Sequence, residues 1–243
     1  MIVITGMRAE ARIASAPGVR VFACGGNVGL RAAAIRHAVS SGAPAIISFG
    51  IAGGLLPHMA PGHWIVATGV SAGGQRIEAD PAWTARLAER LPEAEVGDIV
   101  SVPAPVRRTR QKRHLQASTG ACGVDMESFQ AAALAQELGV PFAAVRVVAD
   151  PVERELPPAV HSGLQTDGSV AMTAVLGSLA REPGQMLSLA RVTVDAFVAF
   201  RALLSGRDKL GPRFASLSCP TVVAGRARAE AATPAPAGAP QVA

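Results

Sequence analysis

The stretch Gly123 to Pro151, GVDMESFQAAALAQELGVPFAAVRVVADP, decides the fold, because it joins a helix to a buried strand and places an acid at the start of one and the end of the other. Ser128 to Leu138 reads as a helix: Ala131, Leu134, Ala135 and Leu138 recur at i, i+3, i+4 and i+7, and Gly139 supplies the residue that stops it. Phe142 to Val148 is a nearly unbroken apolar run after Pro141, the pattern of a strand covered on both faces, and it ends in Asp150 before Pro151. In open α/β sheets ligands bind at the carboxyl ends of the strands. Asp150 stands at such an end, and Glu127 lies on the adjoining loop or first helical turn, so the two acids are expected to face one pocket.

Outward from this stretch, the chain begins with a strand, Ile2 to Thr5, a turn at Gly6-Met7-Arg8 and a short helix from about Glu10. A glycine turn between strand and helix brings backbone N–H groups and a helix amino end near a pocket. The unit repeats: strand Val19 to Ala23, turn Gly25-Gly26-Asn27-Val28-Gly29, helix Leu30 to Ser41, then strand Ala45 to Phe49. The glycine spacing is not that of a dinucleotide site, and no acid ends the following strand, which sets a dehydrogenase aside. Pro81 to Leu91 reads as a helix with Pro in its first turn, and Val96 to Val102 as a strand.

With 243 residues, 49% hydrophobic and 17% charged, the chain can bury one large core. Its net charge is +5, with Arg107, Arg108, Arg110, Lys112 and Arg113 as the one run. That run reads as a solvated loop and helix start, with contact to acidic lipid or phosphate as the alternative. Tyr is absent and aromatics are 4%, which disfavours base-stacking nucleic-acid surfaces. Cys24, Cys122 and Cys219 are too few and too scattered for a disulfide framework or zinc site, as in a reducing compartment. The first residues lack the pattern of a signal peptide, so a cytoplasmic protein is expected. Ala38 to Gln75 holds no charged residue but is broken by Gly, Pro, Ser and His, the pattern of buried strands rather than a membrane span. Gln185 to Leu204 is a helix apolar around much of its girth, which reads as core packing or a subunit contact and so as a homo-oligomer, with an interfacial membrane contact as the alternative. Helix Val170 to Leu179 follows a Pro-rich loop from Pro151. Residues 1–211 form the expected domain, and 212–243 a low-complexity tail read as disordered.

Val124-Asp125-Met126-Glu127-Ser128 and Arg146-Val147-Val148-Ala149-Asp150 together resemble the Met-Glu and Arg-x-x-Ser-Asp blocks of the nucleoside phosphorylase and methylthioadenosine/adenosylhomocysteine nucleosidase superfamily. Ser48-Phe49-Gly50-Ile51-Ala52-Gly53-Gly54-Leu55 resembles that superfamily's Thr-Gly-Ser-Ala-Gly-Gly-Leu block, in a form similar to the hopanoid-associated phosphorylases. The resemblance runs from Met1 to about Leu204. It implies a three-layer α/β/α fold with a mixed central sheet, no metal or organic cofactor, and phosphate as a co-substrate.

By the same resemblance Asp150 is the general acid facing the purine, and Glu10 orients the nucleophile. Met126 and Glu127 hold the ribose, with Arg146 in support. Gly6, Arg8, Gly25, Gly26 and Asn27 are the candidate phosphate neighbours. Arg8 stands where the nucleosidases are acidic, and this favours phosphorolysis of a lipid-linked nucleoside, adenosylhopane, to adenine and a phosphoribosyl-hopane. Three departures matter: Ile51 replaces a hydroxyl residue, no Arg occupies the preceding strand end as it does in many phosphorylases, and Pro103-Ala104-Pro105-Val106 lacks the aromatic that stacks on the base. The alternatives are a hydrolytic methylthioadenosine/adenosylhomocysteine nucleosidase and a non-catalytic nucleoside or lipid binding protein.

Overall fold

The charge-poor stretches form the centre of a sheet in the computed structural model, which describes residues 1–157, 184 and 186–216. Strand β3 (Ile46–Gly54) runs parallel to β8 (Phe142–Asp150), from Ile46 opposite Phe142 to Ala52 opposite Val148. Both are buried along nearly their whole length, which is why neither alternates with polar residues. Strand β1 (Ile2–Thr5) joins the first half of β3 in parallel, with β2 (Arg20–Ala23) beyond it.

The second half of β3 has a different neighbour. Gly53 and Gly54 pair antiparallel with β7 (Gly123–Asp125), which runs parallel to β6 (Glu95–Ser101). Strand β4 (Trp64–Ala72) pairs with β6 on one side and antiparallel with β8 on the other. Strands β3, β8, β4, β6 and β7 therefore close into a ring, from which β1 and β2 extend at one place. Strand β5 (Gln75–Glu78) forms a hairpin with β4 through Gly73 and Gly74, whose φ values of 57° and 81° suit the twist of a two-residue turn.

Helices cover both faces. Alternation along the strands sends Ile2, Ile4, Ile46, Ala144 and Val148 to one core, with Ile35 of α2 (Ala32–Ser40) and Ala131, Leu134 and Ala135 of α5 (Ser128–Glu137). Val3, Ile47, Phe49, Val145 and Val147 point to the other core, against Ala14 of α1 (Arg8–Ala14), Trp83 and Leu87 of α3 (Pro81–Arg90), and Ala199 and Leu203 of α6 (Met186–Leu210). The remaining helix, α4 (Thr109–Thr119), follows β6. This is the expected mixed-sheet α/β/α architecture.

Several boundaries move. The strand expected to end at Phe49 continues to Gly54, so the glycine-rich block lies within a strand, where small residues admit neighbouring side chains. Helix α1 starts at Arg8 rather than near Glu10. Helix α6 continues to Leu210. Phe214 is fully buried, edge-on to Phe49 with ring centroids 5.0 Å apart, so packed chain runs past the expected boundary at position 211. The expected helix Val170 to Leu179 and the low-complexity residues from Ala231 lie outside the described residues.

Candidate functional site

Arg146 organises the site. It projects from β8 opposite Gly50 of β3 and is fully buried, although it is a guanidinium. Its Nε donates to Asp125 Oδ2 at 2.8 Å, and its Nη2 donates to Ser48 Oγ at 2.7 Å and Ser128 Oγ at 3.1 Å and reaches Glu127 Oε2 at 3.4 Å. Asp125 ends β7, Glu127 is the N-cap residue of α5, and Ser128 begins that helix. The Ser128 hydroxyl donates to Asp125 Oδ2, and the Asp125 carboxylate also accepts from Ser101 Oγ.

Glu10 approaches from the first turn of α1. Its Oε2 accepts the Met7 N–H at 2.6 Å, as the acid of a capping box does, and its Oε1 accepts the Ile51 N–H at 2.8 Å. The departure at Ile51 is thereby accounted for in part, because that residue acts through its backbone. Glycines leave the room. A Cβ on Gly50 would lie 2.5 Å from Glu10 Oε1 and 2.7 Å from Arg146 Nη1, and one on Gly6 would lie 2.6 Å from Glu127 Oε1. Glu10, Glu127 and Arg146 thus share one interior.

Burial pushes the Glu10 carboxyl above its ordinary pKa, with Arg146 opposing. Burial also raises Glu127, to about 7, with Arg146 opposing and Asp125 reinforcing the shift. Burial works against the charged form of Arg146, but Asp125, Glu127 and Glu10 outweigh it and hold that group above the ordinary range. Arg146 Nη1 is buried and has no hydrogen-bond partner among the described residues. An unmet buried donor is costly, and this one lies beside Gly50 and Glu10.

Asp150 ends β8, where the sequence places it. Its Oδ2 lies 2.6 Å from Nζ of Lys112, a fully buried residue of α4, and is 3.1 Å from where a Cβ on Gly53 would lie. Burial raises the Asp150 pKa, while Lys112 lowers it. Lys112 corrects the reading of the Arg107–Arg113 run as wholly solvated. Arg113 keeps to the surface in a pair with Glu153, but Lys112 turns inward, where four acceptors offset the cost of burying its charge.

The other expected residues fall around this interior. Met126 packs on Gly26, whose φ is 82° and whose added Cβ would lie 2.5 Å from the Met126 methyl carbon. The Gly25 N–H is held by the Gly6 carbonyl of the first turn at 2.8 Å and the Asn27 N–H by the Cys24 carbonyl at 2.9 Å, which commits both donors to backbone carbonyls. Asn27 and Arg8 are exposed. His63 precedes β4 and accepts the Ala60 N–H through its ring, a loop role. Ala104, Pro105 and Val106 line an open cleft of about 710 Å³ with Arg110, Gln111, His114 and Leu115 of α4, and this cleft shares no lining residue with the buried acids. Among the described residues no group of His, Cys, Asp and Glu is placed to hold a metal ion, and no helix is long and apolar enough to cross a membrane.

Four residues that bond the charged groups of this interior escape the sequence reading: Ser48, Asp125, Ser128 and Lys112. Three of them stand inside the motif blocks and so carried a signal. Lys112 carried none, being one cation within a run of them.

Together the groups offer an acid at a strand end, a second acid held beside a backbone donor, and a third of raised pKa against a buried cation. Splitting a glycosidic bond needs a proton donor, a nucleophile partner and a sugar clamp. Among solved structures, the fold resembles futalosine hydrolase of Helicobacter pylori, at 17% identity and a TM-score of 0.56 over 86% of this chain and 97% of that one. It also resembles the 5′-methylthioadenosine/S-adenosylhomocysteine nucleosidases of H. pylori, at 17% identity and a TM-score of 0.55 over 86% and 97%, and of Neisseria meningitidis, at 16% and 0.57 over 85% and 96%. At such identities the likeness is one of fold. No curated protein matches the sequence. The profile of the phosphorylase superfamily matches residues 6–176, more than half of the chain, and the chain belongs to that superfamily.

Proposed function

We propose that the protein hydrolyses the N-glycosidic bond of an adenine nucleoside with a substituted 5′ position. The observation that carries this reading is the charge of the interior: one guanidinium, Arg146, faces Asp125, Glu127 and Glu10. Such an interior offers a phosphate dianion no surplus cation and accommodates a neutral water. The solved structures that the fold resembles, nucleosidases and a hydrolase, favour the same chemistry. Water gives a proton to Glu10 as its oxygen bonds to C1′. The C1′–N bond breaks with its electron pair going to the base, and Asp150 supplies a proton to that base at N7. Met126 and Glu127 hold the ribose hydroxyls, and Arg146 holds Glu127 in place. No metal or organic cofactor enters this scheme.

One observation favours a second reading, phosphorolysis of adenosylhopane. Arg146 Nη1 is a buried cationic donor without a partner among the described residues, close to Glu10, and it would suit an anionic nucleophile. For a lipid-linked substrate, α6 exposes Leu187, Val194, Phe197 and Leu204, an apolar face suited to peripheral membrane contact. The test is adenine release from methylthioadenosine and from adenosylhopane, each with and without phosphate, followed by chromatography. Release independent of phosphate is expected. Release only with phosphate overturns hydrolysis in favour of phosphorolysis, and no release from either substrate overturns both.

A further inference from the structure

The cation beside the proposed acid comes from an element that carries none of the motif blocks. Lys112 lies on α4 and is fully buried. Its Nζ meets Asp150 Oδ2 at 2.6 Å and donates to the carbonyls of Asp150 at 3.2 Å, Pro151 at 2.8 Å and Arg154 at 3.0 Å. A lysine needed only to neutralise a carboxylate would not require three backbone acceptors. These carbonyls pin the ammonium in one place and bind the chain leaving β8 to α4.

We infer that Lys112 is the positioning residue of Asp150: its fixed charge aims the carboxylate and makes its proton transferable to the departing base. The inference rests on the reading of Asp150 as the acid of glycosidic cleavage. A carboxyl in a buried setting holds its proton tightly, and a nearby ammonium opposes this by stabilising the carboxylate that remains after transfer. The balance of the step is simple. One proton passes from Asp150 to the base nitrogen, and Asp150 is left as a carboxylate against the ammonium of Lys112, which neither gains nor loses a proton.

The surroundings of Asp150 are mixed. Lys112 faces it from α4, and Asp195 of α6 acts against ionisation, although Asp195 is itself paired with Arg154 at 2.5 Å. Strand β3 contributes Gly53 and β7 contributes Val124, neither charged. Among the described residues Lys112 is thus the cation in direct contact, and its removal should change the proton affinity of Asp150 in one direction. A donor must be protonated, so activity falls as pH rises through its pKa. Without the cation that pKa rises, and the alkaline limb of the rate profile moves to higher pH.

The experiment compares wild type with Lys112→Gln, which keeps amide donors for the carbonyls, and Lys112→Arg, which keeps the charge. The expected results for Lys112→Gln are an alkaline limb of kcat raised by ~1–3 pH units, a lower kcat beneath it and little change in KM, with the limb restored in Lys112→Arg. Carboxyl NMR titration of Asp150, assigned by its loss in Asp150→Asn, reads the same shift without substrate. A limb and titration unmoved in Lys112→Gln, with only a lower Tm, overturn the inference. Should neither variant fold, the wild type decides: the Asp150 titration must be echoed at the Lys112 Nζ resonance, and its absence there overturns the inference too. A wild type that releases no base overturns the reading of the enzyme instead, because the titration judges Lys112 by itself.

Discussion

Glu127 shows how one residue joins chemistry to stability. It sits at the N-cap position of α5, lies near Arg146 and is pushed by burial from 4.5 to about 7, so the folded chain keeps a proton there that the unfolded chain gives up earlier. For a raised carboxyl the sign is fixed: this contribution to stability is fully present below pH 4.5 and is lost as pH rises to about 7. Replacing it with a neutral isostere removes that loss. Glu127→Gln is therefore expected to melt higher than wild type, by a margin that widens from pH 4.5 to 7 and then levels off, at about 2–4 °C for each kcal/mol recovered. Thermal melting across that range checks it. The same variant should lose activity under the proposed hydrolysis, in which Glu127 holds the ribose hydroxyls.

At the scale of elements, β3 does the most to assemble the site. Its Gly50 lies opposite Arg146 and its Gly53 opposite Asp150, so two strand positions without side chains make room for two functional ones. Gly50 is the tighter, because both groups a methyl would meet are held in place, Glu10 by two backbone N–H donors and Arg146 by Asp125 and Ser48. Gly50→Ala should then cost at least ~10-fold in kcat, as displacement of a positioned group does, while circular dichroism stays that of wild type. Full activity in that variant would show that the interior yields more readily than its packing implies. Helix α5 was legible in advance because its apolar spacing and Gly139, with φ 63°, act locally. The glycine block of β3 was not, because a run of glycines reads as a turn until the neighbours that need the space are known.

The whole molecule is closed at its second core by the chain after α6. Phe214 is fully buried, with the Arg207 guanidinium 4.0 Å from its ring centroid, and its carbonyl accepts the Trp83 indole N–H at 2.7 Å. Phe214→Ala is expected to destabilise the protein by about 3–5 kcal/mol through the cavity it leaves. Denaturant unfolding measures this, and a loss below ~1 kcal/mol would mean that the segment is not part of the cooperative core. A boundary drawn from composition at position 211 misses this contact, since Pro, Arg, Ala and Ser around one Phe look like the start of a tail.

Local chemistry was therefore enough for the alternation of layers, the start of the chain as a buried strand, the bounds of α3 and α5, and the candidate acids Glu127 and Asp150, with Glu10 added by resemblance. These depend on periodicity, capping and short motifs, which act over a few residues. The partners of those acids depend on distance through space. Asp125 and Ser48 meet at Arg146 because β3, β7 and β8 belong to one closed ring, and Lys112 meets Asp150 because α4 turns inward one cation of the run of five that begins before it. A charged residue in a basic run has no local sign that it will be buried. Only the packing of the folded chain supplies the carbonyls and the carboxylate that make burying it tolerable.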